Sequence, residues 1–178
     1  MRPLRPNPEV PALMRRYARL RTRAASPSTT DLAMMERALD LARDAAAKGE
    51  VPVGAVVYET TTGKVLAEAA NARECEADPS AHAEFLAIRA ACASRGDWRL
   101  NDCTLVVTLE PCIMCAGLIV NARVGRVVYG ADDPKAGAVR SLYRLLEDPR
   151  LNHRITPMRG VLSSASSALL REFFRARR

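Results

Sequence analysis

The chain has 178 residues, of which 48% are hydrophobic and 26% are charged, and its net charge is +7. This length suits one domain with its own core, and the sequence has no apolar run that could cross a membrane. The first residues lack the apolar stretch of a secretory signal, and five cysteines are typical of a reducing compartment, so we expect a cytoplasmic protein.

Charge is distributed unevenly along the chain. Residues 1–30 carry seven Arg and one Glu, a net charge of +6. Residues 31–122 carry eight basic and fourteen acidic residues (−6), and residues 123–178 carry twelve basic and five acidic residues (+7). A basic C-terminal third favours a polyanionic partner, although a solvated helix face would give the same counts.

Residues 1–30 are rich in Pro and Arg and read as an N-terminal tail. We interpret them as a disordered extension, or as the result of a start assigned upstream of a true start near Met34 or Met35. An organellar targeting segment and a nucleic-acid-binding arm are the alternatives, because the tail is basic and poor in acids. The folded domain is predicted to comprise residues 31–178.

Regular patterning begins at Asp31, where a helix capped by Thr30 or Asp31 is predicted to run to about Lys48. A hairpin of two strands follows, and then helices alternate with strands to the end of the chain. This order predicts a three-layer α/β/α fold, in which a mixed sheet of about five strands has helices on both faces. The predicted ranges after the first helix are strands at 51–58 and 65–70, a helix at 81–94, a strand at 104–108, a helix at 111–122, a strand at 126–129, a short helical segment at 141–146, a possible strand at 160–162 and a helix at 163–178.

Two short motifs carry the candidate chemistry. His82 is followed by Glu84, and Pro111 precedes a pair of cysteines, Cys112 and Cys115. One His and two Cys give three protein ligands to a tetrahedral zinc ion and leave the fourth position for water, as in catalytic rather than structural sites. The sequence therefore predicts one Zn²⁺ per subunit, bound by His82, Cys112 and Cys115.

Glu84 is the carboxylate left over from this ligand set. Zinc lowers the pKa of a bound water from about 15.7 to about 7, and a nearby carboxyl can then move protons from water to a leaving amine. H-x-E followed by P-C-x-x-C is the signature of zinc-dependent nucleobase deaminases. A redox pair of cysteines is the alternative for C-x-x-C, but it leaves His82 and Glu84 unexplained.

From Asp31 to Arg178 the chain resembles the bacterial tRNA-specific adenosine deaminases, which convert the wobble adenosine of an anticodon to inosine. The zinc motif alone indicates only the deaminase superfamily, whereas DPSAHAE, LNHR and the terminal FFRARR are typical of the tRNA branch. The matching stretches are EVPVGAVV (50–57), Asn71, DPSAHAE (78–84), TLEPCIMCAG (108–117), RVGRVVYGADDPKAG (123–137), LNHR (151–154) and FFRARR (173–178).

The resemblance implies a cytidine-deaminase-like fold, a homodimer and hydrolytic deamination of adenosine. It implies that the His and both Cys of the motifs are the zinc ligands and that Glu84 is the proton donor. It places Asn71 against the flipped base, and it places the terminal helix, with Phe174, Arg177 and Arg178, against a tRNA anticodon stem-loop. One of Phe173 and Phe174 is expected in the core and the other on the RNA-facing surface.

Two other functions remain open from the sequence. A deaminase of small molecules such as cytosine, guanine or a nucleotide would share the metal motif but would not need the basic C-terminal third. A catalytically inactive RNA-binding subunit with structural zinc would be expected to lack the proton-transferring carboxylate, and Glu84 is present.

Overall fold

The computed structural model describes residues 26–177 of the chain. No helix in that range is long and apolar enough to cross a membrane. In chain order the elements are α1 (Thr29–Ala47), β1 (Gly54–Glu59), β2 (Val65–Ala70), α2 (Ala83–Arg95), β3 (Cys103–Leu109), α3 (Ile113–Asn121), β4 (Arg126–Ala131), a 3-10 helix (Leu145–Glu147), β5 (Met158–Arg159) and α4 (Ser163–Arg175).

The strands form one mixed sheet in the order β2-β1-β3-β4-β5. β1 pairs antiparallel with β2 and β3, whereas β3, β4 and β5 run parallel. Parallel neighbours need a crossover connection, and α3 supplies the one between β3 and β4. The predicted mixed sheet of five strands is confirmed.

Helices cover both faces of this sheet. α2 and α3 pack on one face against side chains such as Val57 and Leu105, and α1 and α4 pack on the other face against Val56 and Val106. Successive residues of β1 and β3 thus belong to opposite cores, as expected for strands buried on both sides. The predicted three-layer α/β/α arrangement is confirmed.

The two helices that carry the metal motifs begin two residues later than the sequence predicted. α2 and α3 start at Ala83 and Ile113, and His82 and Cys112 are their N-cap residues, with extended backbone (ψ 146° and 177°). An N-cap residue lies half outside its helix, beside backbone N–H groups that have no partner within the helix. The two predicted ligand side chains therefore lie at the N-terminal ends of neighbouring helices.

α1 begins earlier than predicted. Ser28, rather than Thr30 or Asp31, is its N-cap: the Ser28 hydroxyl accepts a hydrogen bond from the Asp31 N–H, and the Asp31 carboxylate accepts one from the Ser28 N–H. Such a reciprocal capping box stabilises the first helical turn. Residues 28–30, which the sequence analysis assigned to the tail, therefore belong to the capped helix, and residues 1–25 lie outside the described residues.

Asp31 also joins α1 to the sheet. Its buried carboxylate accepts hydrogen bonds from the Tyr58 hydroxyl and from both terminal nitrogens of Arg126. Burial alone would raise the pKa of Asp31, but the hydrogen bonds from Arg126, the cap residue and Tyr58 outweigh it and hold that pKa well below its ordinary value. A chain that started at Met34 or Met35 would lack this carboxylate.

Two predicted strands differ from the observed ones. β1 begins at Gly54 rather than at residue 51, because Pro52 has no N–H to donate to a neighbouring strand. β5 occupies Met158–Arg159 rather than 160–162, because Gly160 has a left-handed φ of +80° that interrupts extended backbone.

Candidate metal centre and substrate cleft

The three predicted metal ligands converge at the N-termini of α2 and α3. His82 Nδ1 lies 3.7 Å from the Cys112 Sγ and 3.7 Å from the Cys115 Sγ. Zinc bonds of about 2.3 Å to sulfur and about 2.0 Å to nitrogen, meeting at a tetrahedral angle, place two such atoms about 3.5 Å apart. Among residues 26–177 this is the only group of three metal-binding side chains whose ligand atoms lie within 4.8 Å of one another. The geometry and the donor set therefore fit one tetrahedral ion.

The electrostatics of the group favour a thiolate at Cys112. Hydrogen bonds from Cys115 and from His82 lower the pKa of the Cys112 thiol to about 4, although burial opposes the change. The bond to Cys112, together with burial, raises the pKa of Cys115 well above its ordinary value, and the bond to Cys112 raises that of His82. The thiolate is the form of cysteine that binds a metal ion, so the lowered pKa of Cys112 favours metal binding at this group.

Glu84 lies in the first turn of α2, only 4% exposed, and lines the same cleft as His82 and Cys112. Burial raises the pKa of its carboxyl to about 7. Glu84 is not a member of the group of converging metal ligands. A carboxyl that gains and loses a proton near neutral pH is suited to general acid–base catalysis rather than to holding the ion.

An open cleft of about 1310 Å³ contains the metal centre. Residues far apart in sequence meet on its walls: the loop after β2, the N-termini of α2 and α3, and the C-terminal end of α4. The structure thus brings most of the predicted site residues to one cavity. Cys115 is fully buried and is not among the lining residues, and Arg178 lies outside the described residues. The predicted residues that line the cleft are Asn71, His82, Glu84, Cys112, Phe174 and Arg177.

The two phenylalanines at the end of α4 divide as the sequence predicts. Phe173 is buried at 9% exposure, whereas Phe174 is 51% exposed and lines the cleft. Their rings meet edge to face, with centroids 5.4 Å apart. The buried ring fixes the end of the helix, and the exposed ring is available to a ligand.

Arg177 is more than a solvated surface charge, because its side chain has partners within the protein. Its guanidinium lies 4.0 Å above the Phe173 ring and donates a hydrogen bond to the Gly49 carbonyl, just after α1. The side chain therefore ties the end of α4 to the end of α1. A substitution of Arg177 changes this contact as well as any contact with a ligand.

Cationic side chains from several segments line the cleft beside α4. Arg171 and Arg175 are one helical turn apart and both are exposed. Arg73, Lys135 and Arg171 were not among the predicted contact residues, because nothing in the sequence separates them from other surface cations. The charged residues of the cleft wall, apart from Arg177 and the buried carboxylates, are Arg73, Asp132, Asp133, Lys135, Arg171, Glu172 and Arg175.

Glu110, two residues before Cys112, organises the rim of the cleft and was missed from the sequence. Its buried carboxylate accepts hydrogen bonds from the backbone N–H groups of Asp133, Val139, Arg140 and Ser141 and from the Ser141 hydroxyl. Burial raises the pKa of this carboxyl, but these hydrogen bonds outweigh it and lower the pKa overall. The sequence feature that could have identified Glu110 is its position as an acidic residue at the end of an apolar strand.

The helical segment predicted at 141–146 is reduced to a 3-10 helix at Leu145–Glu147. The Leu145 N–H, which would donate to the Ser141 carbonyl in an α-helix, donates instead to the Ala138 carbonyl. Gly137 lies against the Glu110 carboxylate, and a Cβ at that position would come within 2.3 Å of the Glu110 carboxyl carbon.

Residues of the matched LNHR stretch have structural partners. Asn152 accepts a hydrogen bond from Arg123 at 2.9 Å, and the His153 imidazole lies 2.8 Å from the Val124 carbonyl. His153 is therefore occupied with the chain after α3 and is not part of the converging metal ligands.

The known proteins that this chain is similar to are deaminases, as the candidate site suggests. A family model described as MafB19-like deaminase matches residues 29–178. A tRNA-specific adenosine deaminase from Bacillus subtilis is 47% identical over 147 residues, which are 83% of this chain and 90% of that protein. A solved structure from a study of A-to-I editing by tRNA:A34 deaminases has a TM-score of 0.74 and 43% identity, covering 78% of this chain and 99% of that chain.

The chain is also similar, at lower identity, to a deaminase whose named substrate is a free base. The guanine deaminase of Nitrosomonas europaea has a TM-score of 0.70 at 28% identity, covering 85% of this chain and 86% of that chain. The family match begins at Thr29, the first residue of α1, and so includes the capped helix, the sheet and the metal centre. The chain therefore belongs to the MafB19-like deaminase family, with the tRNA-specific adenosine deaminases among its relatives.

Proposed function

We propose that the protein catalyses zinc-dependent hydrolytic deamination of adenosine to inosine at the wobble position of a tRNA anticodon loop. The observation that carries the proposal is the meeting, in one cleft, of a three-ligand metal group, a buried acid–base carboxyl and the aromatic and basic end of α4. The identity to tRNA-specific adenosine deaminases supports the choice of substrate.

The ligands proposed for the zinc ion are His82, Cys112 and Cys115. Bound there, zinc would supply an activated water as the nucleophile for the purine C6. Glu84 takes a proton from the attacking water and passes protons to the purine ring and to the departing amine, so that water is consumed and ammonia leaves. A carboxyl whose pKa lies at about 7 can perform both transfers near neutral pH.

The RNA is proposed to enter along the C-terminal end of α4. Phe174 offers an exposed ring for stacking, and Arg171, Arg175 and Arg177 line the same wall for contacts with phosphates. Asn71 is proposed to contact the flipped base, because it lines the same cleft as His82 and Cys112. A loop base is already unpaired, so extruding it costs less than flipping a base out of a duplex.

A homodimer is proposed as the working form. Ile113, Leu142 and Tyr143 are each more than half exposed. They lie on neighbouring segments, because Cys112 pairs with Gly137 and the Leu142 N–H donates to the Gly137 carbonyl. An exposed apolar group of this kind favours contact with another protein surface. A cytoplasmic location is proposed from the substrate; organellar targeting concerns residues outside the described part.

The test is incubation of the purified protein with an anticodon stem-loop, followed by nucleoside analysis for inosine. Parallel incubations with free adenosine, cytosine and guanine measure the competing small-molecule activity, which the likeness to a guanine deaminase makes the second candidate. We expect inosine in the stem-loop and little turnover of free bases. Turnover of guanine without inosine in RNA would contradict the proposal.

A further inference from the structure

Glu50, which follows α1, has a buried carboxylate aimed at the loop that carries Asn71. The carboxylate is 2% exposed. One of its oxygens accepts a hydrogen bond from the Asn71 Nδ2 at 2.9 Å. The other accepts the backbone N–H groups of Glu74 and Cys75, at 2.8 and 2.7 Å. All three donors belong to the segment that connects β2 to the metal-binding helix α2.

These contacts settle which end of the Asn71 amide faces the cleft. A carboxylate accepts hydrogen bonds and has none to give, so the NH₂ end of the amide must face Glu50. The opposite orientation would place the Asn71 Oδ1 against a carboxylate oxygen, with no proton between them. The Oδ1 and the second amide hydrogen are therefore left for a ligand, in fixed positions.

The backbone around Asn71 is held as well. The Asn71 N–H donates to the Val53 carbonyl at 2.9 Å, and the Ala72 N–H donates to the Ala81 carbonyl, next to His82, at 3.0 Å. With the backbone fixed on both sides, rotation of the side chain is the freedom that remains, and the bond to Glu50 removes it. A polar group positioned before the substrate arrives costs less to order on binding.

We propose that Glu50 is a positioning residue, which sets the orientation of the Asn71 amide and so decides what hydrogen-bonding edge the base must present. The inference rests on the proposed function, in which Asn71 contacts the flipped base. Glu50 itself does not touch the substrate; it acts through Asn71.

The first test is Glu50→Gln. The introduced amide keeps its oxygen on the two backbone N–H groups, because two donors there require an acceptor. Its NH₂ then faces Asn71, whose amide must turn by half a rotation and present the wrong edge to the base. We expect zinc content and thermal melting close to the parent, and a loss of about 10- to 100-fold in kcat/KM for the stem-loop, as for other supporting partners of a site.

A double-mutant cycle separates positioning from a general structural role. If Glu50 acts through Asn71, then Glu50→Gln should cost almost nothing further in the Asn71→Ala background. An equal loss in both backgrounds would show that Glu50 works independently of Asn71 and would overturn the inference.

The reciprocal exchange is a second measurement that does not depend on how well one variant folds. Asn71→Asp alone places two carboxylates together and should lower the melting temperature. Adding Glu50→Gln supplies an NH₂ donor to the introduced carboxylate and again leaves an oxygen facing the cleft. The double variant should melt higher than Asn71→Asp and recover roughly tenfold in kcat/KM over it, since charge repulsion is replaced by a hydrogen bond. No gain in either quantity would overturn the inference.

Glu76→Gln is the matched control, because Glu76 lies in the same loop with an exposed side chain. It removes the same charge and should leave kcat/KM and melting at parental values. Different results contradict the proposed function and this inference. A parent protein that forms no inosine contradicts the function. The melting temperatures of the Asn71→Asp variant and of the double variant still test whether Glu50 pairs with Asn71.

Discussion

Arg126 and Asp31 form a two-bonded ion pair beneath α1, although 95 residues separate them in the chain. The Asp31 carboxylate is fully buried, whereas the Arg126 side chain is 30% exposed. The pair ties the first turn of the first helix to the strand at the centre of the parallel part of the sheet. The stability of the domain therefore depends on residues close to its N-terminal boundary.

Asp31→Asn should lower the free energy of unfolding by about 3 kcal/mol. This is toward the lower end of the cost of removing one partner from a buried ion pair, because Arg126 keeps some access to water. The pKa of Asp31 is lower in the folded chain than its ordinary value of 3.8. The ionic contribution is therefore present above about pH 4 and is lost progressively as the pH falls from there toward the lower folded-state pKa. Denaturant unfolding at pH 7 and at several pH values from about 4 down to about 2 measures both effects.

Asp40→Asn is the control for this variant, because Asp40 pairs with Arg43 on the exposed side of the same helix. Exposed pairs contribute between about 0 and 1 kcal/mol. A parental-like stability of Asp31→Asn at pH 7, or a difference from the parent that does not shrink in acid, would contradict the role of the buried pair.

Truncation tests the boundary of the domain. A chain of residues 26–178 keeps the Ser28 cap and Asp31, whereas a chain of residues 34–178 lacks both. The shorter chain loses a capping residue worth about 1 kcal/mol as well as the buried ion pair, so it should melt far below the longer one. Equal melting temperatures would support a start at Met34 or Met35 as sufficient for the fold.

Glu84→Gln should retain zinc and fold but lose at least about 10²-fold in kcat, because an amide cannot transfer protons. Metal analysis of the purified variant, alongside inosine formation, checks the prediction. Loss of zinc together with activity would make Glu84 a ligand and remove it from the acid–base role.

Cys112→Ala and Cys115→Ala should each lose zinc and stability together. The ligands lie at the N-termini of α2 and α3, so one ion joins two helices, and its binding free energy contributes to folding. Titration with a chelator should likewise lower the melting temperature of the parent. Cys92→Ala is the control, because Cys92 lies in α2 away from the converging ligands. A ligand variant with one zinc per chain and parental melting would contradict the site.

The end of α4 offers two kinds of arginine. Arg171→Ala and Arg175→Ala remove exposed cations of the cleft wall, and each should lower the slope of log affinity against log salt by about 0.7 to 0.9 if the residue contacts a phosphate. Arg177→Ala also removes the contacts with Phe173 and Gly49, so it should lower the melting temperature as well. Stem-loop binding at several salt concentrations, with melting curves, separates the two. Unchanged slopes in the first two variants would mean that this wall does not contact RNA.

The sequence predicted the converging group of one His and two Cys and the layers of the fold because their signals are local. His82, Glu84, Cys112 and Cys115 lie in two short motifs, and buried strands between amphipathic helices define the layers. The cap at Ser28 was misassigned because Asp31, which looks like a cap, is a buried ion-pair partner whose Arg126 lies far along the chain. The contacts of Glu50 and Glu110 were missed for the same reason: most of their partners are backbone N–H groups of loops whose path only the fold determines.

The Glu110 carboxylate holds the loop at residues 133–141 mainly through the loop's backbone, and mostly not through its side chains. The shape of the rim is therefore largely independent of which residues occupy it, provided that Gly137 leaves room for the carboxylate. Exposed positions such as Lys135 and Arg140 are free to diversify without moving the neighbouring Cys112. Variation in substrate choice within such a scaffold can accumulate one surface side chain at a time, while the reacting centre stays in place.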